Sequence, residues 1–392
     1  MKKKLSLFLV FVLSLACFSG CVLPGFESAS VSESMGTSEN ISDSEKESAS
    51  ENGGAEKYQY DFTITDDDGE FKILQLSDTQ IIDATSGRGP EIWQSGYPIW
   101  NPEHKQDLLY KYMDDAVEKN NPDLIVLIGD NIYSDFDPEY KHLEELIEKM
   151  DSYDTPWTFV FGNHDLNPGG NWFKDSGMTN LQYVNGVLER YENAENCLFK
   201  RTEVSESRYN EYTIGVKQNG EYVLSMYMLD TGDETRGKLG ITKAQCDWVA
   251  DTGLQIEKSY GQIPAHMYMH VALSTYEDAL MDKYPDWWTG AILGGTLEAK
   301  DGDFGLCQSV SAADPRNLNG EMFENAKDTN VTNIYAGHAH KSSFSVLYQG
   351  IRLTMGLKTG RYDEFNKNFL GSTLTTFKDG VSVVEHKHYT EN

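Results

Sequence analysis

A chain of 392 residues, 39% hydrophobic and 12% aromatic, carries enough apolar side chain for one large or two ordinary cores. Its 62 acidic against 33 basic residues leave a formal charge of −29, which disfavours electrostatic binding of nucleic-acid phosphates or of an anionic membrane surface. The same excess suits the solvated surface of an exported protein and identifies no substrate.

In chain order, Lys2, Lys3 and Lys4 precede an apolar run over residues 5–18, followed by Ser19, Gly20 and Cys21. The run is short for a membrane span and has the layout of a secretory signal. The small residues before Cys21 resemble a bacterial lipoprotein cleavage box in which that cysteine is acylated. Cys17 is the weaker candidate, and an unlipidated signal or a plain N-terminal anchor are the alternatives. Residues 27–56 are Ser, Glu, Asn and Gly with almost no large apolar side chain, so they cannot offset their ordering entropy by burial. The expected organisation is a signal peptide over 1–20, a lipid-attached disordered linker over 21–57 and a folded catalytic domain over 58–392. Membrane association would then be by the lipid anchor only, on the outer face of the cell membrane.

The folded part opens with alternation over 60–64 and a buried strand over 71–76. Helical spacing follows over 102–120, then the wholly apolar Leu124-Ile125-Val126-Leu127-Ile128, typical of a central strand. A second helical pattern over 139–150 leads to a strand at 157–161, giving β-α-β-α-β. Beyond it we expect a strand over 222–229, an amphipathic stretch over 242–257, strands at 265–271 and 333–336, and hairpin-like strands to residue 384. Helices interleaved early and antiparallel strands late predict an α/β fold of two stacked mixed β-sheets flanked by helices, in four layers. Residues 284–319, with Trp287 and Trp288, lack periodicity and read as a long surface loop near the site. Cys197, Cys246 and Cys307 form no metal-binding spacing; one disulfide or three buried thiols are both allowed.

Chemistry-bearing residues recur where these strands end, which is where ligands bind in α/β sheets. Ser77-Asp78 closes the first strand, Gly129-Asp130-Asn131 the second and Gly162-Asn163-His164-Asp165 the third; His270 and Gly337-His338-Ala339-His340 close later ones. Carboxylate, amide and imidazole together suit first-row metals.

Taken in that order, these motifs resemble the calcineurin-like metallophosphoesterases, over most of residues 71–377. Residues 226–232, 264–270 and Gly356-Leu357-Lys358-Thr359-Gly360 are similar to a branch carrying purple-acid-phosphatase labels. The resemblance implies hydrolysis of phosphate monoesters, which the N-terminal signal would place outside the cytoplasm; the alternatives are a phosphodiesterase acting on nucleotides or cell-wall polymers, and a degenerate, ligand-binding surface lipoprotein. It also implies two metal ions, with Fe, Mn or Zn as candidates. Asp130 would bridge them, Asp78 and His340 would complete one subsite, and Asn163, His270 and His338 the other. Two cations about 3.5–4 Å apart clamp a phosphoryl oxygen and bring the pKa of a bound water toward about 7, which permits in-line attack on phosphorus. His164 matches the family histidine that contacts phosphate and protonates the leaving oxygen, and Asp165 would orient its ring.

One motif departs from the family. The commonest first motif is Asp-x-His, whereas this chain has Asp78-Thr79-Gln80, and an amide oxygen is a poorer ligand than imidazole. Tyr133, three residues after Asp130, matches the purple acid phosphatase tyrosine that binds ferric iron. Two alternatives follow: Tyr133 is an iron ligand, or it is a packed aromatic with Gln80 or water in the vacant place. Of the other histidines, His266 shares a strand face with His270 and is expected as a polar strand-end residue, with contact to substrate as the alternative, and His104, His142, His386 and His388 lie in polar sequence where solvation is expected.

Overall fold

The apolar runs become the middle of a sheet because they have no face to offer water. In the computed structural model, β3 (Leu124–Ile128) is buried at every position and pairs in parallel with β2 (Phe71–Leu76) on one side and β4 (Trp157–Val160) on the other. The connections are α1 (Lys105–Asn120) and α2 (Lys141–Asp151), so the expected β-α-β-α-β unit is present. Antiparallel β12 (Gly371–Lys378) and β13 (Val381–His388) extend it to a five-stranded sheet ordered β13-β12-β2-β3-β4. The structure describes residues 56–81, 105–202, 204, 208–232, 239–284, 301–307, 310, 319–361, 365–366 and 369–389, all within the unit Ala55–Asn392. The signal peptide, Cys21, most of the linker, His104, Trp287 and Trp288 lie outside the described residues.

The second sheet has eight strands: β1 (Phe62–Thr65), β5 (Tyr212–Gln218), β6 (Glu221–Met228), β7 (Ala265–Tyr268), β8 (Phe304–Leu306), β9 (Val331–Ala336), β10 (Ser343–Tyr348) and β11 (Ile351–Met355). Their order is β1-β5-β6-β7-β9-β11-β10-β8, with parallel and antiparallel pairs mixed. Three hairpins turn on two-residue loops, Asn219-Gly220, Gln349-Gly350 and Asp379-Gly380. Both residues of each loop have positive φ, from 47° to 91°, the twist that matches right-handed strands. Placing β8 at the sheet edge corrects the expectation that residues 284–319 are loop throughout.

Period-two alternation splits β6 between two cores. Leu224, Met226 and Met228 face the other sheet, in a cluster with Leu127, Phe159 and Tyr335, while Tyr227 faces outward. Each such burial stabilises the fold by about 1.5–3 kcal/mol. Outside the larger sheet lie α5 (Lys243–Tyr260), α6 (Thr275–Lys283) and α7 (Asn319–Asp328), through Cys246, Val249, Leu280, Met322 and Phe323. On the smaller sheet pack α1, α2 and α4 (Asn180–Glu192), through Met113, Leu146 and Val187; α3 (Gly170–Ser176) precedes α4. The layers therefore run helix, sheet, sheet, helix. A capping box opens α4 (Thr179 with Gln182) and another α5 (Thr242 with Gln245), satisfying amide groups a helix start would leave open. Among the described residues, no helix is long and apolar enough to cross a membrane. No disulfide joins any two of Cys197, Cys246 and Cys307.

Two histidines expected to be solvated are not. His142 is buried with Nδ1 2.8 Å from Glu145, and His386 is partly buried with Nδ1 2.7 Å from the Ser343 hydroxyl. His266 lies wholly between the sheets, closed to solvent, its Nε2 2.7 Å from Ser382 Oγ and its ring against Tyr335 and Phe377. Burial pushes its pKa down from 6.5 to about 3. An unfolded His266 takes up a proton below 6.5, whereas the folded one does not until about 3. Its contribution is therefore complete above about pH 6.5 and lost as pH falls toward 3, by up to about 1.4 kcal/mol per pH unit. Denaturant titrations across that window should show a shallower acid loss in His266→Gln than in the parent; identical pH slopes would mean that His266 is charged in the fold.

Candidate metal centre

The ligand-bearing residues gather because the loops leaving β2, β3, β4, β7 and β9 lock together through backbone. Asp78 N donates to Gly129 O (3.1 Å), Gln80 N to Asp130 O (2.8 Å) and Gly337 N to His270 O (2.9 Å). Two motif glycines are required by this crowding. A Cβ on Gly162 would stand 2.1 Å from Asp130 N and 2.2 Å from its Oδ1; one on Gly129, whose φ is +77°, would stand 2.6 Å from the His270 ring. Asp78, Gln80, Asp130 and His338 all have positive φ (51°, 45°, 47° and 67°), so left-handed backbone is concentrated where side chains are aimed inward.

Five of the six proposed first ligands meet at this centre, and the sixth, Asn163, directly follows Gly162, which stands against Asp130. Asp130, His270 and His338 have ligand atoms within 4.8 Å of one another, and so do Asp78, Asp130 and His340. Asp130 belongs to both groups, which is the placement a bridging carboxylate needs. His270 Nδ1 donates to Ile128 O at 2.7 Å, which fixes the tautomer and turns Nε2 inward. That Nε2 lies 3.3 Å from Asp130 Oδ2 without a hydrogen bond, and Asn163 Oδ1 is buried with no partner. Buried polar atoms seldom stay unpaired; against burial, Asp130 and Asp78 raise the pKa of His270 to about 9, so a cation here would displace the Nε2 proton, and the Asn163 oxygen is free to ligate. His340 Nε2 lies 3.1 Å from Asp78 Oδ1, whose other oxygen accepts from Ser77 Oγ and from His338 N.

The electrostatics favour ionised carboxylates. Burial opposes the charged form of Asp78, but His340, His270 and Lys358 outweigh it and hold its pKa below the usual carboxylate range. Asp130 is likewise lowered against burial, by His270, His164 and His338. His338 goes the other way: burial and the neighbouring His270, ring to ring at 5.1 Å, push it down to about 4, leaving a neutral imidazole able to ligate.

The remaining candidates surround this cluster. The backbone N–H of His164 donates to Asp130 Oδ1 at 2.9 Å, and its half-buried ring stacks on Tyr133 with centroids 4.0 Å apart and planes at 21°. The packed aromatic that the sequence left as one alternative for Tyr133 thus has a definite partner. Asp165 does not address the His164 ring by any hydrogen bond found; its oxygens accept from the backbone of Asn131 (2.8 Å), Ile132 (3.0 Å) and Gly162 (2.7 Å). It clamps the second and third motif loops together, and burial beside Asp130 raises its pKa to about 7. Gln80 lies against Asp130, its Nε2 3.3 Å from Oδ2.

Sequence reasoning assigned no role to Lys358, which is buried and donates to Gln80 Oε1 (2.5 Å) and to Asp78 O (3.1 Å). The available signal was a lone cation between glycines directly after a strand, where a lysine without a partner would not be buried.

The chain is similar to known proteins. The profile of the calcineurin-like phosphoesterases matches residues 71–288. Among curated proteins, "Probable inactive purple acid phosphatase 29" of Arabidopsis thaliana is 23% identical over 313 residues, 74% of this chain and 71% of the relative. "Probable inactive purple acid phosphatase 28" of the same plant is 25% identical over 224 residues, 53% of this chain and 54% of the relative. Among solved structures, a dimetal phosphatase from Danio rerio aligns with 81% of this chain and 98% of its own, at 11% identity and a TM-score of 0.46.

Proposed function

The chain belongs to the calcineurin-like phosphoesterase family and is a phosphoric-ester hydrolase, and from that premise we propose that it removes phosphate from monoesters outside the cytoplasm, held to the membrane by a lipid on Cys21. The observation that carries the catalytic part is the convergence of Asp78, Asp130, His270, His338 and His340, with Asn163 Oδ1 buried and unpartnered and the His164 backbone tied to Asp130. Cations held there, with Fe, Mn and Zn the candidates, would supply Lewis-acid polarisation of the phosphoryl group and a lowered water pKa.

The chain's own residues then have distinct tasks. Asp130 is held below the carboxylate range and carries negative charge into both groups of ligands, which favours cations there over the rest of the acidic surface. His164 is half-buried, with its backbone tied to Asp130 and its ring braced by Tyr133, so the imidazole is positioned to give a proton to the leaving oxygen. Asp165 keeps the loops of Asp130 and Asn163 at fixed separation. Monoesters are favoured as substrate by the phosphatase names of the curated relatives. Export is supported by the lysines at 2–4, the apolar run and Cys21.

A second reading rests on Gln80: with no imidazole in the first motif, the centre would bind a phosphate compound without turnover, and the relatives named as inactive belong with it. Protein stripped with chelator and reloaded with iron, manganese or zinc should hydrolyse 4-nitrophenyl phosphate faster than bis(4-nitrophenyl) phosphate. Faster diester cleavage would replace the monoester reading, and no hydrolysis of either with any metal would leave the binding reading. Labelling by a radioactive fatty acid that is lost in Cys21→Ser tests the anchor.

A further inference from the structure

The Gln80 side chain is wedged between a cation and an anion, and this decides which end of its amide meets the metal centre. Lys358 Nζ is 2.5 Å from Oε1, and Nε2 is 3.3 Å from Asp130 Oδ2. A lysine ammonium has only donors and an ionised carboxylate only acceptors, so the reversed amide would set N–H against N–H and oxygen against oxygen. Lys358 is held in place independently, by Asp78 O at 3.1 Å, and the strand-end loop that carries it is joined to the first motif by Thr359 N on Ser77 O (2.7 Å) and Gly360 N on Asp78 O (3.2 Å).

We propose that Lys358 is a positioning residue that turns the Gln80 amide so that its N–H group, and not its oxygen, faces Asp130, leaving Asp78, Asp130 and His340 as a weak, three-residue cation subsite beside a stronger one formed by Asp130, Asn163, His270 and His338. Three observations support the asymmetry. An amide N–H cannot ligate a cation, so the position where the commonest family pattern has an imidazole adds no ligand. That N–H also occupies a lone pair of the shared Asp130 Oδ2. The Lys358 ammonium is buried 3.1 Å from Asp78 O, and at that range it repels a cation in the same subsite. The stronger subsite has one residue more to offer, and Asn163 Oδ1 and His270 Nε2 have no hydrogen-bond partner.

The inference rests on the metal-centre reading but not on catalysis, so cation binding alone tests it. Chelator-stripped full-length protein is titrated with Mn2+ by calorimetry, with bound metal counted after equilibrium dialysis. The parent should take up one tight equivalent and a second at least about 10-fold weaker, the scale on which partners of metal ligands act. Lys358→Met frees the amide to reverse and removes the opposing charge. It should tighten the weaker step about 10- to 100-fold and leave the tight step unchanged. Gln80→His, which keeps Lys358, should also tighten only the weaker step, and it serves if the methionine variant does not fold. Two equally tight equivalents in the parent, or a weaker step that neither variant tightens, would overturn the proposal. If binding follows the expected pattern while no ester is cleaved, the catalytic reading fails and this one stands.

Discussion

Asp130→Ala is expected to empty both cation subsites and to lower the rate of phosphate-ester cleavage by at least about 10³-fold. The reason is geometric: Asp130 contributes to both groups of potential ligands, so its loss cannot be confined to one. Metal catalysis supplies several kcal/mol of transition-state stabilisation, and each 1.36 kcal/mol is tenfold in rate, which sets the scale. A second loss accompanies the first, because Asp130 Oδ1 accepts the backbone N–H of His164 and its Oδ2 the amide of Gln80. Metal analysis of purified, reloaded protein reads the result directly. If Asp130→Ala still holds two equivalents, the bridging assignment is wrong whatever its activity.

His164→Ala is expected to give the opposite separation: full metal content with turnover reduced about 10²- to 10⁴-fold, the range for loss of a general acid. Only the backbone of His164 touches Asp130, and alanine preserves that N–H. The ring stacks on Tyr133, which is itself buried, so its removal opens a gap at the margin of the site without touching the carboxylates. Comparison of leaving groups distinguishes proton donation from mere packing. An ester of 2,4-dinitrophenol departs without protonation and should be cleaved nearly as well by the variant as by the parent, whereas an alkyl phosphate should show the full deficit. An equal loss for both esters would assign His164 to phosphate binding instead.

Much of the smaller sheet was legible in the sequence. Residues 71–76 and 124–128 are strands at the predicted positions, the second because a wholly apolar run of five suits a sheet interior, the first because apolar residues dominate it around Lys72 and Gln75. The helices α4, α6 and α7 and the strand β5 were not read, for different reasons. The helix α6 is short and buries Tyr276, Ala279 and Leu280 within an otherwise polar stretch, a weak periodic signal. Signals for α4 and β5 were present in Thr179-x-x-Gln182 and Asn219-Gly220, whose chemistry is local. The misplaced histidines have a tertiary cause. Nothing in the sequence around His266 or His386 shows that the partner hydroxyls, Ser382 and Ser343, arrive 116 and 43 residues away.

The metal centre divides along the same line. The sequence by itself determined which ligand types exist, in what order, and that each sits at a strand end, because strand ends follow from apolar runs and the ligand chemistry belongs to the residue. Asp130 bridging two groups could be inferred at that level from resemblance. Which atom of an ambivalent side chain points inward could not. Asp165 accepts from three backbone amides instead of addressing His164, and Tyr133 lies flat on that ring. Gln80 offers an oxygen or an N–H with nearly the same shape, and a lysine 278 residues later decides between them. Donors and acceptors take their direction from the opposite charge they meet, and only folding brings that charge within reach.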